Sequence, residues 1–171
     1  MTTCPEAEDP HWLDPAEREA WLALTGVLFR LPSALDTQMQ RVAGLSNFEY
    51  LVLAMLSETP HHTLRMSQLA ELSNGSLSRL SHVVARLERQ GYVRRHQGPE
   101  DGRSINAVLT DEGLAKIVAT APGHVNYVRS LVFDGLTPEQ VTGLAQIGRS
   151  ILERIDPGAP FDPAAATRLV P

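Results

Sequence analysis

Apolar spacing and a capping signal predict a long helix at the start of the chain. The helix begins after Asp14, because Pro15 suits the first helical position and Glu17 reaches back to the cap. Its apolar positions recur at helical spacing: Trp21, Leu24, Leu28 and Leu31. Pro32 predicts a kink or a restart, since proline lacks a backbone N–H, and Gly44 predicts the end of this helix.

A second helix and several short elements follow. The capping box at residues 46–49 starts a buried helix with apolar positions at Phe48, Val52, Met55 and Leu56. Residues 60–62 predict a turn and residues 63–65 a short strand. Ser67 is the predicted cap of a brief helix that ends at Asn74-Gly75.

The helix predicted from Ser76 onward has two different faces. One stripe is apolar and contains Leu77, Leu80, Val84 and Leu87. The opposite face is small, polar and basic, with Ser78, His82, Ala85, Arg86 and Arg89, and with Ser81 at its edge. The first face belongs to a core. The second is either an ordinary solvated helix face or a binding surface.

A hairpin and two further helices complete the predicted order. Gly91 closes the preceding helix, and residues 92–97 and 104–109 form strands around a turn-rich tip at 98–102. A long helix starts at Thr110, is interrupted near Pro122-Gly123 and runs on to Phe133. The last helix starts at Thr137 and carries an apolar stripe at Val141, Leu144, Ile147, Ile151 and Ile155.

A short helix, a glycine-containing turn and a polar-faced helix form the pattern of a helix-turn-helix, whose second helix enters the major groove of DNA. Small Ser78 and Ser81 side chains let the backbone approach the bases, and Arg79 and His82 are long enough to reach base edges. The arginines toward the end of the helix, Arg86 and Arg89, suit phosphate contacts.

The hairpin adds a predicted wing. Arg94, Arg95 and Arg103 surround a glycine-rich tip that a globular core does not need. Laid into the minor groove, Arg103 uses the negative potential there, and Asp101 holds its guanidinium in place by a bidentate pair. The alternative is an ordinary surface hairpin with a local ion pair.

The charge distribution favours an anionic partner for this middle segment. The whole chain of 171 residues has a net charge of −5, which by itself argues against nucleic acid. The stretch from Arg65 to Ile105, however, contains seven arginines and four acidic residues. A basic middle between acidic ends is the asymmetry typical of proteins that bind an anionic surface locally.

The stretch from Met66 to Gly113 resembles the DNA-binding core of the MarR family, the multiple antibiotic resistance regulators. The motifs that carry the resemblance are Arg86-Leu87-Glu88, Gly91-Tyr92-Val93, Asp101-Gly102-Arg103, and Leu109-Thr110 followed by Gly113. The flanking helices extend the resemblance to about Asp14–Ile155. Asn74-Gly75 departs from the usual turn, so the cap of the recognition helix is either Asn74 or Ser76.

The resemblance implies a mainly α-helical fold with a small β-hairpin wing, in which N- and C-terminal helices form a homodimer. It implies a repressor that binds a pseudo-palindromic operator in double-stranded DNA and is often released by a small-molecule effector. Arg103 is then the wing-tip residue in the minor groove, with Asp101 as its partner. The expected DNA-binding residues are Ser76, Ser78, Arg79, Ser81, His82, Arg86, Arg89, Arg95, Asp101 and Arg103.

The expected organisation is one folded unit made of four segments. Residues 1–45 form an N-terminal arm and a dimerisation helix, and residues 46–110 the winged helix-turn-helix lobe. Residues 111–156 form the C-terminal dimerisation helices, and residues 157–171 a proline-rich, extended tail. No run of eighteen apolar residues and no secretion signal occurs, and Cys4 is the only cysteine, so a cytoplasmic protein without a membrane segment is expected.

Other functions have weaker support in the sequence. Trp21, Phe48 and Tyr127 are candidates for an effector pocket, although buried aromatics are more often plain core. Cys4 has acidic neighbours, which disfavour a reactive thiolate, and the histidines lack metal-ligand spacing. No catalytic motif is present, so neither an enzyme nor a cofactor is expected. The rival from another class is a winged-helix module for protein–protein assembly, in which the arginines contact an acidic protein surface.

Overall fold

A computed structural model describes residues 10–98 and 104–157 of the chain. The fold is mainly helical and includes a small antiparallel sheet. The helices are α1 (Pro15–Ala43), α2 (Asn47–Glu58), α3 (Met66–Leu72), α4 (Leu77–Arg89), α5 (Asp111–Val128) and α6 (Pro138–Ile155). The strands are β1 (Thr63–Arg65), β2 (Val93–Gln97) and β3 (Ile105–Leu109). The predicted fold class is therefore confirmed.

The chain divides into two compact units, residues 1–34 and residues 35–171. The division falls inside α1. Within the first unit, none of residues 10–34 is buried, so this part of α1 has no core of its own. Its large exposed side chains include Trp12 (80% exposed), Phe29 (78%) and Leu28 (59%).

The second unit contains the hydrophobic core, which α2, α3, α4 and the sheet share with the end of α1 and the start of α5. Its largest fully buried apolar side chains are Met39, Leu45, Val52, Leu53, Leu56, Leu69, Leu80, Val84, Leu87 and Val93. The sheet has the order β1-β3-β2, with Leu64 opposite Ala107 and Arg95 opposite the same alanine on the other side. The middle strand is β3, and its residues are more completely buried in the core than those of β1 and β2.

Short-range capping signals are present where the sequence predicts them. Asp14 and Glu17 cap α1 reciprocally, through N–H···O bonds of 2.9 and 2.8 Å. Ser46 and Glu49 form a capping box at α2, and Thr137 begins α6 in the same way. Each pair satisfies two N–H groups that a helix start otherwise leaves unpaired, and this is why these boundaries are predictable.

Neither Pro32 nor Pro122 ends its helix, so the restart predicted at the first and the interruption predicted near the second do not occur. α1 continues through Pro32 and α5 through Pro122, and the change in α5 comes later, in a π-helical turn at Arg129–Phe133. A helical proline leaves the carbonyl four residues earlier without its N–H partner. Those residues are Leu28 and Val118, which are 59% and 65% exposed, so water can replace the lost bond.

Two local assignments also need correction. Ser67 is not the cap of α3, because Gln68 Oε1 accepts a hydrogen bond from the Arg65 N–H and the helix begins at Met66, which is buried. Leu77 is 54% exposed, although it was predicted in the apolar stripe of α4. It is the first helical residue and lies at the edge of that stripe, so burial begins one turn later, at Leu80.

The apolar stripe of α6 is present but uncovered in the single chain. The helix has no buried residue. Ile147 and Ile155 are 60% and 73% exposed, and Leu144 and Ile151 are exposed to a smaller extent. A row of exposed aliphatic side chains along one helix needs a second surface to cover it. None of the helices in the described ranges is both long and apolar enough to span a membrane.

Candidate nucleic-acid interface

The turn between α3 and α4 sets the direction of the exposed helix. Asn74 has a φ of 47°, in the left-handed region, and the Gly75 N–H donates to the Ala70 carbonyl oxygen at 2.9 Å. Ser76 is the cap of α4, since its hydroxyl accepts a bond from the Arg79 N–H. Of the two caps that the sequence left open, Ser76 is the one observed.

α4 presents a polar face above a fully buried one. Leu80, Val84 and Leu87 are 0% exposed and fix the helix on the core. The predicted DNA-facing side chains Ser78, Arg79, His82 and Arg89 are exposed, and Ser81 is half-buried. The helix therefore displays small and long polar side chains on a surface that its apolar side holds rigidly, as groove binding requires.

The guanidinium of Arg79 lies over the ring of Phe48 at the start of α2. The Arg79 Cζ atom is 4.4 Å from the ring centroid, which is cation–π geometry. The ring also lies against the turn, because a Cβ atom on Gly75 would be 3.2 Å from its Cζ atom. Phe48, predicted as part of an effector pocket, therefore contacts the helix-turn-helix itself.

Arg86 has a carboxylate partner inside the protein. Its Nε atom is 3.0 Å from Oε1 of Glu49, whose side chain is 2% exposed. The other oxygen of Glu49 accepts the Ser46 N–H at 2.7 Å. Because about half of the Arg86 side chain is exposed, the ion pair does not exclude the phosphate contact predicted for Arg86, and that contact stays a prediction.

Arg95 is likewise paired, with Glu88 near the end of α4. Its Nε and one terminal nitrogen are 3.0 and 2.7 Å from Oε2, and its backbone N–H donates to Oε1 at 3.1 Å. These bonds lower the pKa of the Glu88 carboxyl below its ordinary value, the side-chain bond from Arg95 contributing most. The pair joins α4 to β2. The predicted DNA contact of Arg95 remains untested.

The rest of the predicted wing is only partly described. Arg94 and Arg89 are exposed, and neither has a carboxylate partner among residues 10–98 and 104–157. Asp101 and Arg103, predicted as the wing-tip pair, lie outside the described residues. Gly98 and Ser104 mark the two ends of the described hairpin, where the Gly98 N–H donates to the Ser104 carbonyl oxygen at 2.8 Å.

One hydroxyl connects the end of the helix-turn-helix to the start of α5. Thr110 Oγ1 donates to the Gly91 carbonyl oxygen at 2.7 Å and accepts the Gly113 N–H at 3.0 Å. The Thr110 N–H donates to the Tyr92 carbonyl oxygen at 3.0 Å. A Cβ on Gly113 would clash with that same carbonyl oxygen, so this position needs glycine. Hydrogen bonds of Thr110 thus connect the sequence motifs at residues 91–93 and 109–113.

The other aromatic candidates lie in different surroundings. Trp21 is 54% exposed on the first unit, and Tyr127 is half-buried on α5. Between α2 and α5, the rings of Tyr50 and His124 contact each other in a tilted arrangement, with 4.5 Å between centroids and 49° between the ring planes. Burial raises the pKa of Tyr50 and lowers that of His124.

The sequence did not indicate that Glu49 and Glu88 hold the arginines of this surface. The sequence predicts Glu49 only as a helix-capping residue, and Glu88 only as part of the motif Arg86-Leu87-Glu88. The available signal was the helical spacing that places Glu49 beside Leu56 at the edge of the apolar stripe of α2, because a carboxylate buried there requires a partner.

Comparisons with known proteins agree with this geometry. The family model described as "MarR family" matches residues 45–105. The chain is 30% identical to the HTH-type transcriptional repressor YetL of Bacillus subtilis, over 84% of each chain. It is 33% identical to the uncharacterized HTH-type transcriptional regulator YfiV of the same organism, covering 83% of this chain and 86% of the relative.

Two solved structures from Streptomyces coelicolor are also similar. A crystal structure of the MarR family transcriptional regulator Sco3205 in complex with DNA has a TM-score of 0.84 and 44% identity, and covers 89% of this chain and 95% of that chain. The MarR family transcriptional regulator AbsC has a TM-score of 0.80 and 37% identity, and covers 85% of this chain and 98% of that chain.

Proposed function

This chain belongs to the MarR family of transcriptional regulators, and from that premise we propose that it represses transcription by binding a pseudo-palindromic operator as a homodimer. The observation that carries the proposal is α4, with three fully buried apolar side chains below an exposed polar face. The DNA complex of Sco3205, 44% identical to this chain, supports a duplex as the partner. The comparisons give no support to a protein-assembly module.

The first turns of α4 lie in the major groove in this proposal. Ser76 and Ser78 contact the sugar-phosphate backbone or a base. Arg79 and His82 reach the base edges, and the small, half-buried Ser81 side chain lets the α4 backbone approach the DNA closely. Arg89 and Arg94 bind phosphates, because they are exposed and have no carboxylate partner in the described ranges. Arg86 and Arg95 mainly hold the surface together and contribute positive charge to it.

The wing contributes a second contact. Arg103 at the tip enters the minor groove, with Asp101 orienting its guanidinium. The support is the hairpin of β2 and β3, whose base Val93 and Leu109 attach to the core; Arg103 lies in the sequence between these two strands.

The homodimer follows from the uncovered helices. α6 has no buried residue, and its row of aliphatic side chains is exposed along the helix. A second copy of the chain buries such surfaces in family members, so residues 1–45 and 111–156 are the proposed dimerisation segments, around the DNA-binding lobe at 46–110. An effector that releases the DNA acts on this dimer. We propose that the protein is not an enzyme. We also propose that it acts in the cytoplasm, because that is where its DNA target lies.

Selection from random duplexes tests the proposal. The purified protein is mixed with a duplex library, and the bound fraction is amplified and sequenced over several rounds. We expect an inverted repeat with half-site centres about 10–10.5 base pairs apart, the spacing of two recognition helices on one face of DNA. Enrichment of no sequence would count against the proposed function.

A further inference from the structure

Three arginines on and beside α4 are held in two different ways. Arg86 and Arg95 give N–H groups to buried or half-exposed carboxylates. Arg79 instead has its guanidinium face on an aromatic ring, 4.4 Å from the centroid of Phe48. Within the described residues, no acceptor meets its side-chain N–H groups. Stacking occupies the face of a guanidinium and leaves the donors at its edge unused.

The position of Arg79 suits a base contact. It is the third residue of α4, after the Ser76 cap, in the turn with which recognition helices contact base edges. The most frequent specific contact of arginine there is a pair of hydrogen bonds to O6 and N7 of guanine. That contact needs two parallel donors at the guanidinium edge, which the stacked side chain still has.

The ring beneath Arg79 is itself fixed. Phe48 lies within the capping box formed by Ser46 and Glu49, and the neighbouring Asn47 N–H donates to Asp36 Oδ1 at 2.9 Å. The ring packs against the core on one side and against Gly75, the turn glycine, on another. The ring that supports the Arg79 guanidinium therefore belongs to α2, and the position of that ring does not depend on the flexible arginine side chain.

We propose that Phe48 is a positioning residue that holds the Arg79 guanidinium ready to recognise one guanine in each half-site of the operator. The inference rests on the proposed function and adds the base that Arg79 recognises. Fixing the side chain before binding lowers the entropy cost of ordering it on DNA. Phe48 therefore determines how strongly the protein prefers guanine at that position, through Arg79 and without touching DNA.

A double-mutant cycle tests the proposal on the full chain. The affinities of wild type, Phe48→Leu, Arg79→Ala and the double variant are measured by fluorescence anisotropy on the duplex that wild type selects. A second set of duplexes carries 7-deazaguanine, which lacks the N7 acceptor, at each guanine in turn. Phe48→Tyr is the matched control, since it keeps the aromatic face.

The expected results separate positioning from folding. One 7-deazaguanine per half-site weakens wild type and leaves Arg79→Ala unchanged. Phe48→Leu weakens binding about 3- to 10-fold, with a smaller penalty for the modified base, and Phe48→Tyr stays within about 2-fold. In the Arg79→Ala background, Phe48→Leu has no further effect. If Phe48→Leu fails to fold, as judged by urea unfolding, Phe48→Met takes its place.

Several outcomes would overturn the proposal. The first is that Phe48→Leu lowers DNA affinity equally in the wild-type and Arg79→Ala backgrounds. The second is that Phe48→Tyr lowers affinity as much as Phe48→Leu does. The third is sequence-specific binding in which the effect of 7-deazaguanine depends on Arg79 at no guanine. In the last case the proposed function still stands, because the protein selects a sequence by other residues. Failure to select any sequence would instead reject the proposed function.

Discussion

The Nε atom of Arg86 lies 3.0 Å from Oε1 of Glu49 and so ties the second half of α4 to the first turn of α2. The same carboxylate caps α2 through the Ser46 N–H. Two helices that meet in the DNA-binding lobe thus share one buried acid. Arg86, expected from the sequence to contact phosphate, has an internal role as well.

Arg86→Met should lower the free energy of unfolding by about 1–3 kcal/mol. The substitution leaves the Glu49 carboxylate, with its 2% exposed side chain, without its cationic partner. Urea unfolding at neutral pH measures the change. The double variant Glu49→Gln/Arg86→Met should recover part of the loss, because it removes the buried charge.

Arg89→Met is the matched control on the same helix. Arg89 is exposed and has no carboxylate partner in the described ranges, so its replacement should change stability by less than about 0.5 kcal/mol. It should instead reduce the salt dependence of DNA binding by about one unit of slope, as loss of a phosphate contact does. Equal stability losses for the two variants would contradict the assigned roles.

Gly113→Ala should destabilise the protein by about 1–3 kcal/mol, since the added Cβ meets the Tyr92 carbonyl oxygen, which is backbone and cannot move aside easily. Gly123 lies in the same helix with nothing within 4 Å of an added Cβ. Gly123→Ala should therefore raise stability by up to about 1 kcal/mol. Thermal or urea unfolding of both variants provides the comparison. Similar unfolding free energies for the two variants would argue against the close packing of Gly113 on the Tyr92 backbone.

The Glu88–Arg95 pair predicts a pH dependence of stability. Because Arg95 lowers the Glu88 pKa in the folded state, the pair stabilises the protein above the ordinary value of 4.5, and this stabilisation is lost as the pH falls below it. Glu88→Gln should cost about 0.2–1 kcal/mol at pH 7, a small value because both side chains are about a third exposed. The difference between wild type and Glu88→Gln should shrink on acidification; a difference that grew would have the wrong sign.

Arg103→Ala should weaken duplex binding without changing the unfolding free energy, because the proposed role of Arg103 is a minor-groove contact at the wing tip. Arg103→Lys is its control, since lysine keeps the charge but lacks the planar fork that Asp101 would orient. Anisotropy titrations should rank wild type above Arg103→Lys and Arg103→Lys above Arg103→Ala. Unchanged affinity in Arg103→Ala would remove the wing from the interface.

Local signals in the sequence predicted much of this fold. The capping boxes at Ser46 and Thr137 join residues three apart, so the pattern contains both partners of each bond. The burial of Leu80, Val84 and Leu87 follows from helical spacing in the same way. The unbroken course of α1 through Pro32 and of α5 through Pro122 was not predicted, because water on an exposed helix side can replace a lost backbone bond, and exposure is a property of the folded chain.

The candidate site was less predictable than the fold, because its contacts join distant parts of the chain. Glu49 meets Arg86, Phe48 meets Arg79 and Glu88 meets Arg95 only once α2, α4 and β2 have packed on one core. A residue type and its spacing indicate that an arginine is exposed. They do not indicate whether a carboxylate or a ring holds it, and on that difference rests the proposed distinction between structural arginines and arginines that contact DNA.

The most direct test is the affinity of the protein for the DNA flanking its own gene, compared with a scrambled duplex, by anisotropy at about 50 and about 200 mM salt. A sequence-specific regulator should lose affinity for both duplexes as salt rises, and should keep its preference for the native sequence at the higher salt. Equal affinities that both vanish at the higher salt, for this DNA and for any duplex enriched by selection, would contradict sequence-specific recognition by α4.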